Sequence, residues 1–534
     1  MNMKKLLYIL SIGACLWSIN ACDTEDDLIQ DQLNNNPLPE PIEGEAGSLN
    51  LSKYVAIGNS LTAGFMDGAL YTVGQANSFP ALLHKKLATI PGVSAEFNQP
   101  DINSVNGFNS AVSNIGAGVI LGHSVLDLSA QAPVFLPGEL PTAFTGNKAA
   151  LNNFGVPGIQ TGQLLTPLTG TPGSPIENPL YTRFASAPGS STILGDALAA
   201  NPTFVTLWIG GNDILGYALS GASNEAIFTS QANFTTQFGT VISQIMANSQ
   251  ANGVVMNLPP VTLLPFFRAV PYNPVPLDAA NAAALNAGFA GFNAAIDGLV
   301  ANSLLSAADG QKRKVTYAAA SNNPLLIIDE NLEDLGPKFD ILQGAGAITP
   351  EQRAALSPFV KSRPAIASDL VLLSAAPQIG LVLGGNLSLL NGISVPFEDK
   401  FILTLAEQGA LIERTAIFNG IIEGTLTGNS RLKMLDVNPL FADLFGLTAA
   451  TAAQLALSPA SQQAADGVLG LSIEGITLRP DFAPNGVFST DGIHPNPRGN
   501  AILVNEIMAL MKKEFGTELL PYSIFEVEGP AIQP

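Results

Sequence analysis

The stretch Lys53-Tyr-Val-Ala-Ile-Gly58-Asn59-Ser60-Leu-Thr-Ala-Gly64 decides how the rest of the chain is read. Its first half is a short apolar run closed by a glycine, the pattern of a strand buried on both faces of a parallel sheet. Its second half opens on small polar residues, as helices do. A serine between such a strand and such a helix is placed as a nucleophile, with its backbone N–H where helix-terminal amides stabilise negative charge. Taken alone, the same residues also fit a serine that only caps a helix.

Two further blocks extend the pattern. Thr203-Phe-Val-Thr-Leu-Trp-Ile209 is a second buried-strand run, and it ends in Gly210-Gly211-Asn212-Asp213. Glycines there allow a sharp turn, and Asn212 offers an amide donor over the carboxyl edge of the sheet, where open α/β sheets bind ligands. An ordinary Gly-Asn turn is the plainer alternative. Near the C-terminus, Val487-Phe-Ser-Thr-Asp491-Gly-Ile-His494 precedes Pro495-Asn496-Pro497 and an amphipathic helix. Its apolar face holds Ile502, Leu503, Ile507, Leu510 and Met511. Asn496 is placed to cap this helix, Pro497 suits its first turn, and Lys512 and Lys513 complement its last turn before Gly516. Asp491 lies three residues before His494, so the carboxylate can orient the imidazole and stabilise its protonated form.

In chain order, Gly58-Asn59-Ser60, Asn153-Phe-Gly155-Val-Pro-Gly158-Ile-Gln-Thr161, Gly210-Gly211-Asn212-Asp213 and Asp491-Gly-Ile-His494 resemble the four motif blocks of the GDSL-type SGNH hydrolase family. Single triplets recur by chance: Gly428-Asn429-Ser430 and Gly384-Gly385-Asn386 repeat two of them without the flanking strand or the following aspartate. Only the order and the neighbouring elements carry weight. The resemblance implies a flavodoxin-like three-layer α/β/α sandwich around a parallel sheet. It implies a serine ester hydrolase, an esterase or lipase working through an acyl-enzyme without cofactor or metal. Ser60 is then the nucleophile, and His494 and Asp491 complete the triad. The N–H groups of Ser60 and Gly158 and the Asn212 amide would form the oxyanion hole. One departure stands out: the family usually carries Asp where this chain has Asn59. An amide can still hydrogen-bond the turn, so the geometry is expected to survive.

Composition narrows the partners. The chain has 534 residues, of which 47% are hydrophobic and only 12% charged, with 51 Gly and 38 Pro. Its net charge is −20, and removal of Lys4 and Lys5 with a leader would leave 21 basic against 43 acidic residues. No basic stripe is present to displace counterions, so nucleic-acid binding is not expected. Cys15 and Cys22 lie near the N-terminus, which leaves the body without disulfides, thiolate zinc sites or a cysteine nucleophile. Any imidazole chemistry must use His84, His123 or His494, and no metal-ligand spacing links them.

Residues 1–21 have Lys4 and Lys5, an apolar core and small residues before Cys22, the architecture of a secretory signal and too short to span a bilayer of about 20 residues. Ile19-Asn-Ala-Cys22 resembles a lipoprotein box with Cys22 as the lipidated residue; Ile12-Gly-Ala-Cys15 fits less well. Residues 22–48 form an acidic tether, with eight acidic and no basic residues between Asp23 and Ala46. Extended, it could reach up to about 70 Å from a membrane. The acidic run resembles the surface-export signal of Bacteroidota lipoproteins, so the expected location is the cell envelope, anchored to the outer membrane through Cys22. Which face it occupies stays open.

Residues 49–534 are read as the hydrolase domain. Further strands are expected at Gly253–Leu258 and Arg431–Val437, and helices at Ser78–Leu87, Asn224–Ala251, Asp278–Leu305 and Glu398–Glu423. Insertions at about 65–151 and 259–430 exceed a minimal fold. They would either cover the substrate at the carboxyl edge or form a helical subdomain with its own core. The expected substrate is an ester, either a lipid or acyl ester or an acetylated glycan. The alternative is a non-catalytic surface lipoprotein that uses the fold to bind a ligand. Oligomeric state is not readable from the sequence.

Overall fold

Five short strands alternate their side chains between two apolar faces. They are β1 (Tyr54–Gly58), β2 (Asn153–Gly155), β3 (Phe204–Trp208), β4 (Asn252–Met256) and β5 (Leu432–Leu435) in a computed structural model. The structure describes residues 43–127, 132–444, 470–482, 486–527 and 532–533. The expected leader, Cys22 and the tether up to residue 42 lie outside them. All pairings are parallel, in the order β2-β1-β3-β4-β5. This is the flavodoxin-like order, whose switch point falls between β1 and β3.

Helices cover both faces, because each face of the sheet is apolar. Val55, Ile57, Val205, Leu207 and Val255 share one core with α3 (Ile193–Ala199), α5 (Gln231–Asn248) and α7 (Leu405–Leu426), through residues such as Leu194, Phe234, Phe238, Phe418 and Ile422. Tyr54, Ala56, Phe204, Trp208, Val254 and Met256 share the other with α2 (Phe79–Leu87) and α8 (Pro497–Phe515), through Phe79, Leu83, Val504, Ile507 and Met511. The buried polar atoms on the sheet are paired: Tyr54 Oη with Thr206 Oγ1 at 2.8 Å, and Trp208 Nε1 donating to the Asn257 carbonyl at 3.0 Å.

Caps set the helix bounds, and they move some expected ends. Ser78 caps α2, and Asp278 caps α6 (Ala279–Ala301). The helix expected from Asn224 begins only at Gln231, because Asn224 opens one 3-10 turn and Ser230 then caps α5. The helix expected from Glu398 begins at Leu405, where Thr404 and Glu407 form a reciprocal capping box. At the C-terminus Asn496 accepts from the Gly499 N–H at 3.0 Å, and Gly516 closes α8 with φ +72°.

The extra residues build outward from this frame. Between 65 and 151, Leu121–Asp127 pairs antiparallel with Ala132–Pro137. Residues 275–402 hold a hydrophobic core of their own, including Phe289, Phe292 and Ile296 of α6 with Ile327, Phe339 and Phe397. A buried Arg363 fastens that unit, bonding Asp329 at 2.6 Å and Asp369 at 2.6 and 2.8 Å. No helix among the described residues is long and apolar enough to cross a membrane.

Candidate active site

Gly58, Gly155 and Trp208 lie level in the sheet register, so the loops after β1, β2 and β3 leave its carboxyl edge together. Space there is tight. A Cβ on Gly155 would sit 2.3 Å from the Ala63 N, which lets α1 (Ser60–Ala63) pack directly on β2. Asn59 caps α1 through its side-chain oxygen, 3.1 Å from the Leu61 N–H. An amide therefore serves this turn, and Ser60, the first residue of α1, is left free of the capping role.

The Ser60 hydroxyl points at His494 instead: Oγ and Nε2 are 2.8 Å apart, although 434 residues separate them. His494 Nδ1 lies 2.9 Å from Asp491 Oδ2. Asp491 Oδ1 accepts from the N–H groups of Ile493 and His494, at 2.8 and 2.9 Å, and Oδ2 also accepts from the Gly68 N–H at 2.9 Å. Burial raises the Asp491 carboxyl, but the adjoining imidazole and these hydrogen bonds outweigh it and hold the carboxyl down at about 2. The aspartate is thus anionic at neutral pH, and its contact fixes a proton on Nδ1, leaving Nε2 to accept from a hydroxyl.

The other histidines do not reach the site. His84 is buried against the rings of Tyr54 and Phe97, and His123 stacks on Tyr71 with Nδ1 3.0 Å from the Asn106 carbonyl.

Asn212 begins α4 (Asn212–Leu219) and lines the same cleft as Ser60 and His494. Its side-chain amide donates one hydrogen to the Ile159 carbonyl at 2.9 Å, which leaves its second hydrogen for a ligand. That bond joins it to the turn at Gly158, an exposed glycine with φ +80°. Asp213 locks the same two blocks from beneath. Its carboxylate accepts from the Thr161 N–H, the Thr161 hydroxyl and the Thr229 hydroxyl, all at 2.9 Å. The sequence-read residues Ser60, Asn212 and His494 therefore line one cleft, with Asp491 bonded to His494. Gly158 is not among the residues that line it.

Asp67 escaped the sequence reading. It is buried with φ +54°, and its carboxylate accepts from the Thr490 N–H and hydroxyl at 2.9 Å and from the Tyr71 hydroxyl at 2.8 Å. Ser124 donates to the Asp67 carbonyl and lies 2.5 Å from Thr490 Oγ1. The 65–151 segment therefore braces the Asp491–His494 loop from behind. None of its described residues lines the cleft, although the Phe65 ring packs 5.0 Å from the His494 imidazole. Of 259–430, only Pro259, Val261 and Leu264 line it, and Val437, Leu440, Phe441 and Leu444 complete that wall. The pocket beside Ser60 is about 80 Å³ and mostly hydrocarbon. The only sequence signal for Asp67 was an Asp-Gly turn among many Gly and Asn residues.

A hydroxyl, imidazole and carboxylate in line at the switch point of a doubly wound sheet define a hydrolase-type site on a flavodoxin-like fold. The family model of the GDSL-like lipases and acylhydrolases matches residues 54–323, half of the chain, and the protein belongs to that family. In class it is an ester hydrolase. The match takes in Ser60, Gly158 and Asn212, while Asp491 and His494 lie beyond it. No curated protein and no solved structure matches the chain.

Proposed function

We propose that the protein is a serine esterase, secreted and lipid-anchored through Cys22 to the outer membrane, acting on esters that carry a hydrocarbon chain. The observation that carries the proposal is the continuous Ser60–His494–Asp491 hydrogen-bond relay. Ser60 attacks the ester carbonyl while His494 takes its proton, and the Asp491 carboxylate stabilises the imidazolium that forms. The N–H groups of Ser60 and Gly158 and the free Asn212 amide hydrogen receive the oxyanion, each such donor being worth about 3 kcal/mol. His494 then protonates the leaving alcohol, and water, activated by the same imidazole, releases the acid from Ser60. The apolar cleft wall supports an acyl ester over an acetylated glycan, since sugar hydroxyls would find few partners there.

Ser60→Ala is expected to abolish hydrolysis of a short-chain chromogenic ester and labelling by a fluorophosphonate, with unchanged thermal unfolding. Hydrolysis at the wild-type rate in this variant would sink the assignment. A wild-type protein that fails to label at Ser60 would instead favour a ligand-binding scaffold.

A further inference from the structure

The unit built from residues 275–402 meets the start of α7 at a group of three carboxylates that the ester chemistry does not use. Glu330 follows the strand Leu326–Ile328, Asp399 sits on a single 3-10 turn, and Glu407 lies in the first turn of α7. One carboxyl oxygen from each falls within 4.8 Å of the others. Glu330 lies 69 residues before Asp399, which is eight before Glu407, so no metal-ligand spacing motif announces them.

Burial grades across the group: Glu330 is exposed, Asp399 half-buried, and Glu407 only 6% exposed. One Glu407 oxygen, Oε2, serves the capping box, accepting from the Thr404 N–H at 2.6 Å and hydroxyl at 2.8 Å. The other, Oε1, is buried with no N–H or O–H donor beside it among the described residues, and Asp399 Oδ1 is in the same condition; both carboxyls face that of Glu330 instead. Of the neighbouring ammonium groups, Lys361 lies close enough to act on Glu330 and Asp399 but donates to the Glu330 main-chain carbonyl at 2.8 Å, and Lys400 pairs with Glu398. Buried carboxylate oxygens without donors are costly unless something positive meets them.

We propose that Glu330, Asp399 and Glu407 bind a calcium ion that pins the 275–402 unit to the N-terminus of α7. Ligand type and rigidity favour calcium over magnesium: calcium takes six to eight oxygens in flexible geometry, whereas magnesium demands near-ideal octahedral coordination and keeps several of its waters. All-carboxylate donors select hard cations over zinc or copper. Three carboxylates supply three to six oxygens, and water reaches the remaining positions from the exposed Glu330 side. α7 packs in turn on the sheet and against α4, the helix that Asn212 begins, so the ion would stiffen the scaffold behind the cleft without touching it.

The test is calorimetric titration of calcium chloride into the chelator-treated full chain, alongside melting curves with and without calcium. One saturable site is expected, together with a higher melting temperature in calcium. Glu330→Gln should weaken that site by roughly ten-fold or more and remove the calcium-dependent shift, while melting like the wild type in chelator. Glu407→Gln should do the same, but it also touches the α7 cap, so the exposed Glu330 is the decisive position. Equal calcium binding by wild type and Glu330→Gln would place the ion elsewhere, for instance on the acidic tether, and overturn the proposal. So would the absence of a site, or tighter binding of magnesium than of calcium.

Discussion

Asp491 shows how one side chain can be bound to both catalysis and stability. Its carboxyl is held at about 2, against the 3.8 of an ordinary aspartate. A folded-state value below the unfolded one means stability that is fully present above pH 4 and lost as pH falls through 2. The shift corresponds to about 2 kcal/mol. Urea midpoints measured from pH 7 to pH 2 should therefore fall more steeply for the wild type than for Asp491→Asn. The same substitution should lower kcat by about 10³-fold or more, because the wrong imidazole tautomer would face Ser60. Parallel urea curves for the two proteins would contradict the acid-stability argument. Asn59 makes the opposite point. The family's usual aspartate is absent, yet the amide oxygen caps α1 on the Leu61 N–H.

At the scale of elements, the Asp491–His494 loop is held from three directions. α8 anchors it through the Asn496 cap, the Phe266 N–H bonds the Gly492 carbonyl at 3.0 Å, and Asp67 holds Thr490. Asp67→Ala should cost about 2–3 kcal/mol, since it leaves the Thr490 N–H without its acceptor. It should also cut kcat by about 10-fold or more with little change in KM, because His494 loses its placement rather than the substrate its contacts. Asp67→Asn keeps an acceptor for Thr490 and tolerates the positive φ, so it should restore much of the rate. A loss confined to stability, with kcat unchanged, would leave Asp67 a structural residue only. Element boundaries were legible wherever a cap was: Ser78, Asp278 and Asn496 start the helices their side chains predict. They were misplaced at Asn224 and Glu398, where a second polar residue downstream supplied a better cap.

At the scale of the whole molecule, the two large insertions do most of their work away from the cleft wall, to which 259–430 gives only Pro259, Val261 and Leu264. One braces the histidine loop; the other encloses its own core and meets α7 at the carboxylate group. The cleft wall combines the loops after β1, β3 and β4, the residues after β5, and the segment from Val487 into α8. Its apolar character predicts that kcat/KM rises from acetate esters to medium-chain esters. A steep preference for acetate in a chain-length series would point back to deacetylation.

Four of the five strand segments, the nucleophile's position after β1 and the Asp-x-x-His block were all determined by the sequence. Each depends on local patterning: a buried run, a glycine, a cap, a three-residue spacing. Tertiary structure alone brought His494, already singled out by its block over His84 and His123, to 2.8 Å from Ser60. It also revealed that Asp67 and Asp213 lock the motif blocks together, and it brought Glu330, Asp399 and Glu407 within reach of one ion. Those contacts join residues 8 to 434 positions apart, without a common period, and so leave no periodic trace in composition or spacing.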